Sequence, residues 1–557
     1  MIVDLSESPR AELPDYDLCI VGTGPAGTTV ARELAGSGLR VGVLESGRLR
    51  VTKHGDALRK VESEGIAIKE YSRERVLGGA STTWAGLSSL MDEVDFEPRP
   101  FLRHSGWPIE REALLPWYAA AAERYRFPPR DFFGARGFGA LRAGGDLQPR
   151  WERVDEKVFL AADPPQDFGR EHRAVYERED VDLWLDATVV RLETDPGTRR
   201  VAAAVARTSA GAELRVRARA FVVATGGIEN ARLLLASRDL CADGLGNERH
   251  QVGRYLMNHP KNYHGVLRLG NPVTELPYYF GCLYEGFAGY AGLRLPQALQ
   301  RERGLLNSYV RLEPLFPWSD NMGVESLVLI VKRSAFVLRA WKAGKRGKAV
   351  SLRDYSETGD DSDFQNQRKT PLQWLGVGAN VVLHLPSVLQ YLWFRLSKAK
   401  PRVRRVRLRN FMEMEPDPDN RVTLGAGRDA NGEPVAHVAH RCTELDRRSL
   451  VELHAVLGRE VEATGLGTLR TTLADEPAWP ITQDASHHMG TTRMGTDPAT
   501  SVCDPDCRVH GVDNLWMAGA SVFPTSGCAN PTFTLVALAI RLADHLKRAL
   551  PAGAEAR

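Results

Sequence analysis

Two adjacent histidines, His487 and His488, stand in the stretch DASHHMGTTRMG, just before a run of small residues. Histidine is the side chain that most readily gains or loses a proton near neutral pH, so either one could act as a general base. If this segment is extended, successive side chains point to opposite sides of the chain, and only one of the two can face a ligand bound on one side. The local sequence alone leaves both candidates open.

A glycine-rich turn near the start of the chain predicts a dinucleotide site. The apolar strand YDLCIV is followed by GTGPAG, by a helical pattern, and by a second strand that ends at Glu45, 23 residues after Gly22. In such a unit Gly22 makes the tight turn and Gly24 lets a pyrophosphate approach the backbone. Gly27 lets the helix pack closely on the strand, and Glu45 accepts hydrogen bonds from the ribose. The helix N-terminus favours the phosphates.

Five further segments resemble the glucose–methanol–choline (GMC) oxidoreductases. They are VLGGASTTWAG (76–86), VVATGGIENARLLLAS (222–237), VGRYLMNHP (252–260), EPDPDNRVTL (415–424) and the long C-terminal stretch 514–546, in the order expected for the family. The segment containing STTW is most similar to the pyranose 2-oxidase branch. The resemblance implies FAD as the cofactor and an α/β fold: a Rossmann-like, glutathione-reductase-type domain beside an α+β substrate domain with an antiparallel sheet.

The resemblance also implies discontinuous domains. We expect the FAD-binding domain to be assembled from residues 14–100, 181–265 and 486–550, and the substrate domain from residues 101–180 and 266–485. A chain of 557 residues is too long for one ordinary core, which agrees with two domains.

The same family pattern assigns the cofactor contacts. Thr83 stands where pyranose 2-oxidases carry the histidine that bonds covalently to the flavin, and threonine cannot make that bond, so we expect non-covalent FAD. Pro531 fits the first turn of a helix, whose N-terminal dipole would stabilise negative charge on the reduced ring. The expected FAD-binding residues are Gly22, Gly24, Pro25, Ala26, Gly27, Glu45, Ser46, Gly79, Ser81, Thr82, Thr83, Val189, Ala224, Thr225, Gly519, Ala520, Asn530, Pro531 and Thr532.

The family pattern also separates the two histidines. In GMC enzymes the catalytic histidine lies three residues before the glycine of a GT pair, which is Gly490 here and implies His487 as the base. The second catalytic position, before PT, is Asn530, whose amide can orient a substrate oxygen. His488 is then expected to support His487, and His259 to be structural or close to FAD.

Composition limits the remaining functions. The net charge of +3 gives no general reason to expect nucleic-acid binding. Seven scattered cysteines favour a reducing compartment, the first residues do not resemble a signal peptide, and we expect a cytoplasmic protein. No metal-ligand spacing is present among the histidines, and we expect no metal.

Residues 281–409 resemble the family least, and within them residues 325–409 form a basic, amphipathic insert. Leu327, Ile330, Val331, Ser334, Val337, Leu338 and Trp341 share one face of a predicted helix. An acidic stretch follows, and residues 371–394 then contain no Asp, Glu, Lys or Arg. Residues 395–409 carry eight positive charges. Two interpretations stay open: peripheral contact with a membrane surface, or packing on the substrate domain or in an oligomer. The oligomeric state is unknown.

These observations predict an FAD-dependent oxidase or dehydrogenase. It would oxidise a CH–OH group of a small alcohol, polyol, sugar or glycoside to a carbonyl, with O2 or another electron acceptor. The alternative is a membrane-surface dehydrogenase of a hydrophobic alcohol with a quinone-type acceptor. A non-redox lyase or decarboxylase on the same fold is the minority alternative.

Overall fold

The computed structural model describes residues 1–334, 369–397, 401–475, 481 and 486–551. Its strands are β1 (Ile2–Asp4), β2 (Tyr16–Val21), β3 (Val41–Glu45), β4 (Val61–Gly65), β5 (Asp155–Ala162), β6 (Val181–Leu185), β7 (Thr188–Thr194), β8 (Val201–Arg207), β9 (Glu213–Val223), β10 (Lys261–Asn262), β11 (Val266–Val273), β12 (Cys282–Tyr284), β13 (Phe287–Arg294), β14 (Tyr309–Leu315), β15 (Val403–Phe411), β16 (Arg421–Arg428), β17 (Pro434–His440), β18 (Gly467–Arg470) and β19 (Leu515–Met517). Its α-helices are α1 (Pro25–Leu34), α2 (Lys53–Ala57), α3 (Glu93–Phe96), α4 (Arg111–Tyr125), α5 (Phe168–Glu171), α6 (Gly227–Ala236), α7 (Pro277–Phe280), α8 (Gln297–Arg303), α9 (Met322–Arg333), α10 (Pro371–Leu383), α11 (Leu385–Leu396), α12 (Glu444–Ala463) and α13 (Pro531–Ala549).

A parallel sheet carries the glycine-rich segments. Its strands run in the order β1-β6-β3-β2-β9, and β19 pairs in parallel with the end of β9. Every residue of β3 and β6 is buried, as expected for parallel strands that are covered on both faces. The predicted Rossmann-like α/β fold, assembled from separated segments, is confirmed. At the edge of this sheet, Ile2–Asp4 pairs in parallel with β6.

The long strand β9 belongs to two arrangements. Its second half, from Ala218, pairs with β2, whereas residues Glu213–Arg217 pair antiparallel with β8, which in turn pairs with β7. A three-stranded antiparallel extension therefore grows from the edge of the parallel sheet. This extension places Val189 of β7 close to the carboxyl ends of the parallel strands.

A second, antiparallel sheet forms the other half of the molecule. Its order is β12-β13-β14-β15-β11-β18, with β5 paired to β13 and β10 to β15. One face packs on a separate buried core to which α12 contributes Leu450, Leu453, Val456 and Leu457. The expected substrate domain with an antiparallel sheet matches this half.

A small sheet links the two halves. Strand β4 pairs in parallel with β17, and β17 pairs with β16. Met414, Val422, Ala436 and Val438 share the buried core of the parallel sheet, although the expected boundaries place them in the substrate domain. The domain boundaries themselves stay a prediction.

The insert differs from its prediction in two ways. Residues 403–409, expected to belong to a basic surface segment, form most of β15 inside the antiparallel sheet. Helix α9 buries Val324, Val328 and Leu329 instead of the predicted face. Val337, Leu338, Trp341 and the acidic stretch lie outside the described residues.

Helices α10 and α11 follow one another at an angle of 78°. Among the described residues, no single helix has both the length and the apolar character needed to cross a membrane, whereas this bent pair meets both criteria jointly. Several large apolar side chains on the pair are exposed, among them Leu372 (77%), Leu383 (76%) and Leu396 (80%).

Candidate active site

A cavity of about 610 Å³ lies between the two halves. One part of its wall is built from the carboxyl ends of β2, β3 and β9, where ligands bind in open α/β sheets. Another part comes from the antiparallel sheet, through strands β10, β13, β14 and β15. Its volume is that of a site for a sizeable organic ligand.

The glycine turn after β2 leaves an open approach to the backbone. Gly22 has a φ of +101°, and a Cβ there would lie 2.7 Å from the carbonyl oxygen of Ala224. Helix α1 begins at Pro25, and its N-cap residue is Gly24, which has no side chain that could cap the helix. A Cβ on Gly24 would meet no atom within 4 Å. The amide end of α1 therefore faces free space, the arrangement that a phosphate requires.

Gly27 and Glu45 fix this turn in place. A Cβ on Gly27 would lie 2.0 Å from the Gly22 carbonyl oxygen, so Gly27 permits close packing but does not line the cavity. The Glu45 carboxylate accepts hydrogen bonds from the Thr23 amide at 3.0 Å and the Thr23 hydroxyl at 2.6 Å. The Gly47 amide donates to its other oxygen at 2.8 Å. These donors hold the carboxylate on the cavity wall.

The segment around Gly79 places three of its four expected FAD-binding residues on the cavity wall. Gly79, Ser81 and Thr83 lie on the cavity wall. The Ser81 hydroxyl donates to the Gly78 carbonyl and accepts from the Phe168 amide, so it stabilises the loop. Thr82 does not line the cavity, and its hydroxyl donates to the Gly79 carbonyl at 2.9 Å.

Asn230 joins two of the cofactor segments, a role that sequence reasoning missed. Its side-chain oxygen accepts from the amide and the hydroxyl of Thr225, both at 2.8 Å. Its side-chain amide donates to the Ala518 carbonyl at 3.0 Å and to the Ser521 hydroxyl at 2.7 Å. The turn after β9 and the turn after β19 are thereby held together at the cavity.

Helix α13 points its N-terminus at the cavity. It begins at Pro531, as predicted, and Asn530 makes no side-chain cap. Its predicted apolar stripe is buried, which fixes the direction of the helix. The expected residues that lie on the cavity wall are Gly22, Gly24, Pro25, Ala26, Glu45, Ser46, Gly79, Ser81, Thr83, Val189, Ala224, Thr225, His487, Gly519, Ala520, Asn530, Pro531 and Thr532.

The structure brings together the two residues expected to be catalytic. His487 and Asn530 lie 43 positions apart in sequence, and Nδ2 of Asn530 is 3.4 Å from Nε2 of His487. Residues 486–488 all lie on the cavity wall. The expectation that only one of the adjacent histidines would reach this space is therefore not met, and the Asn530 contact is what distinguishes His487.

His259 contacts His487 directly, a pairing that sequence reasoning missed. Nδ1 of His259 lies 2.9 Å from Nδ1 of His487, and Nε2 of His259 lies 2.8 Å from the Gly527 carbonyl oxygen. Burial lowers the pKa of His259 to about 4, so its ring is neutral at pH 7. The Asn258 side-chain oxygen accepts from the backbone amides of both histidines.

This chain of contacts selects the proton positions. A carbonyl oxygen only accepts, so Nε2 of His259 carries the proton and Nδ1 accepts. Nδ1 of His487 must then donate to Nδ1 of His259. In neutral His487 the proton-free atom is consequently Nε2, which is the atom beside Asn530.

The rest of the wall was not predicted. Lys261, Tyr290, Tyr309, Arg311, Arg409 and Phe411 line it from the antiparallel sheet, and Arg73, Arg75, Arg232 and Glu229 line it elsewhere. The three arginines around Glu229 hold the pKa of its carboxyl below the ordinary value, although burial alone would raise it. The alternation in VRLRNF and YVRLEPL was the available sequence signal.

Comparison with known proteins gives two matching family models. The model described as FAD dependent oxidoreductase matches residues 17–277, and the model described as GMC oxidoreductase matches residues 416–539. Together they include the glycine turn and Asn530.

Individual relatives agree with these models. The chain is 24% identical to 6'''-hydroxyparomomycin C oxidase of Streptomyces lividus, over 95% of this chain and 92% of that protein. It is 34% identical to pyranose 2-oxidase of Tricholoma matsutake, over 26% of this chain and 27% of that one. Pyridoxine 4-oxidase from Mesorbium loti shares the fold, with a TM-score of 0.54 at 17% identity, and the alignment covers 96% of this chain and 99% of that chain.

Proposed function

Since the chain belongs to the FAD-dependent GMC oxidoreductases, we propose that it oxidises a CH–OH group of a sugar, glycoside or other polyol to a carbonyl. The observation that carries this proposal is the contact between Nε2 of His487 and Nδ2 of Asn530 on the cavity wall. The relatives named 6'''-hydroxyparomomycin C oxidase and pyranose 2-oxidase support the substrate class.

The cavity fits FAD through its backbone. Gly24 and the N-terminus of α1 would hold the pyrophosphate, and the N-terminus of α13 would face the ring. FAD, when bound, accepts the hydride from the carbon that carries the hydroxyl. Thr83 lies on the cavity wall at the position where the pyranose 2-oxidase pattern has the histidine that bonds to the flavin. Because threonine cannot make that bond, we propose that FAD is bound non-covalently. Acid precipitation should release all flavin into the supernatant, and flavin retained in the pellet would contradict this.

His487 would take the hydroxyl proton on Nε2, since Nδ1 already donates to His259. Asn530 would donate to the same substrate oxygen and orient it. A positioned base of this kind accelerates a reaction by about 10²- to 10⁴-fold. The pair therefore removes the proton while the hydride leaves the adjacent carbon.

Anaerobic mixing with a panel of sugars, glycosides and simple alcohols tests the oxidation. At least one class of compound should bleach the flavin absorbance. Air or a quinone-type acceptor is then added to separate samples of the reduced enzyme, and the rates at which the absorbance returns are compared. An unbleached flavin across the whole panel would reject the proposal. Product formation while the flavin stays oxidised would support a lyase or decarboxylase instead.

A specific observation supports a second candidate, a membrane-surface dehydrogenase of a hydrophobic alcohol with a quinone-type acceptor. Helices α10 and α11 expose Leu375 (71%), Val382 (71%) and Trp393 (66%). In sequence, Lys369 precedes this helix pair and Arg395 lies near its end. Exposed apolar side chains flanked by cations suit an anionic lipid surface.

Vesicle flotation with anionic lipid tests this second candidate. Wild type should float, and a Leu375→Glu/Trp393→Glu variant should not. Leu49→Glu, at an exposed apolar residue (44%) outside these helices, is the control and should float. Deletion of 371–409 is unsuitable because it would remove most of β15. Failure of wild type to float would reject membrane contact and leave the soluble-substrate proposal unchanged.

A further inference from the structure

The antiparallel sheet gives the cavity a cationic wall. Lys261 of β10, Arg311 of β14 and Arg409 of β15 all line the cavity. Arg311 is directly paired with Arg409, and Lys261 with Phe411. Because alternate residues of a strand share a face, these three cations project from one side of the sheet.

These three cations are buried. Lys261, Arg311 and Arg409 are 4%, 6% and 7% exposed. The nearby carboxylate is Glu313, which lies 3.3 Å from Arg409 and 3.9 Å from Arg311. Although burial raises the pKa of Glu313, the neighbouring arginines bring it below its ordinary value, so this carboxylate is ionised. Since Arg407 also lies 3.3 Å from Glu313, this one carboxylate is shared by three guanidinium groups.

Arg311 retains unused donors. Its Nε and Nη2 atoms are buried and have no hydrogen-bond partner within the described residues. Its guanidinium lies 4.2 Å from the centre of the Tyr290 ring, which fixes the plane of the group. Buried donors without partners are costly, and a guanidinium edge matches the two oxygens of a carboxylate or phosphate.

The cations adjoin the catalytic pair. Lys261 follows His259 by two residues, and His259 contacts His487. We propose that this wall binds an anionic group, a carboxylate or a phosphate, carried by the substrate whose hydroxyl is oxidised at His487. This inference rests on the proposed oxidation, since it assigns the anionic group to the substrate of that reaction. Binding of the anion can nevertheless be measured separately from oxidation.

Binding and flavin reduction should be followed with four probes that share the glucose ring and differ in one substituent: D-glucose, D-glucuronate, D-glucose 6-phosphate and D-glucosamine. Perturbation of the flavin absorbance reports binding, and anaerobic bleaching reports oxidation. At least one anionic probe should bind about 10-fold or more tightly than glucose, and glucosamine should bind more weakly than glucose. The two anionic arms distinguish a carboxylate from a phosphate.

Arg311→Met should abolish most of the preference for the anion, measured as the ratio of the affinity for the anionic probe to the affinity for glucose, whereas Arg311→Lys should keep much of that preference. Lys261→Met is an independent second test from another strand. Arg405→Met removes an exposed cation from β15 outside the cavity wall and should change nothing.

Equal binding of neutral and anionic probes would overturn the inference, even if glucose bleaches the flavin. Loss of FAD, or an equal loss for all probes, in both Arg311→Met and Lys261→Met would also overturn it, because the charge would then serve the cofactor or the fold. Tight anion binding without bleaching by any alcohol would instead reject the proposed oxidation and leave the anion site in place.

Discussion

The two walls of the cavity present different chemistry to their ligands. The wall proposed for the cofactor consists mainly of backbone, through Gly22, Gly24 and the amide ends of α1 and α13. The wall proposed for the substrate consists of side chains that project from strands, such as Tyr309, Arg311 and Arg409. Backbone recognition requires glycines and helix starts at fixed spacings, whereas side-chain recognition lets the ligand preference change without changing the fold.

The largest expected effect is on the backbone wall. Gly27→Val would place side-chain atoms where even a Cβ lies 2.0 Å from the Gly22 carbonyl. We expect destabilisation of about 3 kcal/mol and purification without FAD, measured by flavin absorbance and thermal unfolding. Gly24→Ala is the control, since free space surrounds it. It should weaken FAD binding and leave the unfolding temperature of the apoprotein unchanged. Normal FAD content in Gly27→Val would refute this packing role.

The second effect is on the catalytic pair, where the two walls meet. His487→Ala should slow anaerobic flavin reduction by about 10²- to 10⁴-fold and retain FAD. His488→Ala, at the neighbouring position on the same wall, should have a far smaller effect. Similar losses in the two variants would remove the distinction that the Asn530 contact provides.

A third, smaller effect concerns His259 as a positioning residue. His259→Leu removes the acceptor for Nδ1 of His487, and flavin reduction should slow by about 10²-fold. His259→Gln offers an acceptor and a donor and should recover part of the rate. The pH dependence of reduction should change in His259→Leu, since the proton of His487 is no longer fixed on Nδ1. An unchanged pH profile would show that His259 only fills space.

The smallest effect is on stability at acidic pH. The pKa of His259 is about 4 in the folded chain, against 6.5 as its ordinary value. The unfolded chain therefore binds the proton more readily, and stability falls as pH drops from 6.5 towards 4. The slope is at most about 1.4 kcal/mol per pH unit. Thermal unfolding across this range should show a steeper loss in wild type than in His259→Gln, and parallel curves would contradict the assignment.

Sequence reasoning predicted the wall proposed for the cofactor better than the wall proposed for the substrate, because backbone recognition requires particular residue types at fixed spacings. The turn at Gly22, the start of α13 at Pro531 and the approach of Asn530 to His487 could all be expected from motifs, since each needs particular residue types. The pairing of His259 with His487 depends on contacts between segments 228 residues apart, which no local pattern encodes. Residues 403–409 appeared to be a surface segment because their arginines obscured the strand alternation of β15.

The parallel sheet has a consequence for synthesis on the ribosome. Strand β9 ends at Val223, but its neighbour β19 begins only at Leu515, and α13 follows from Pro531. At about 5–20 residues per second, the ribosome needs about 15–60 s to add the intervening segment. The edge of β9 that later pairs with β19 must wait through that interval. Contact between FAD and the N-terminus of α13 would therefore come only after the chain has been made as far as Pro531.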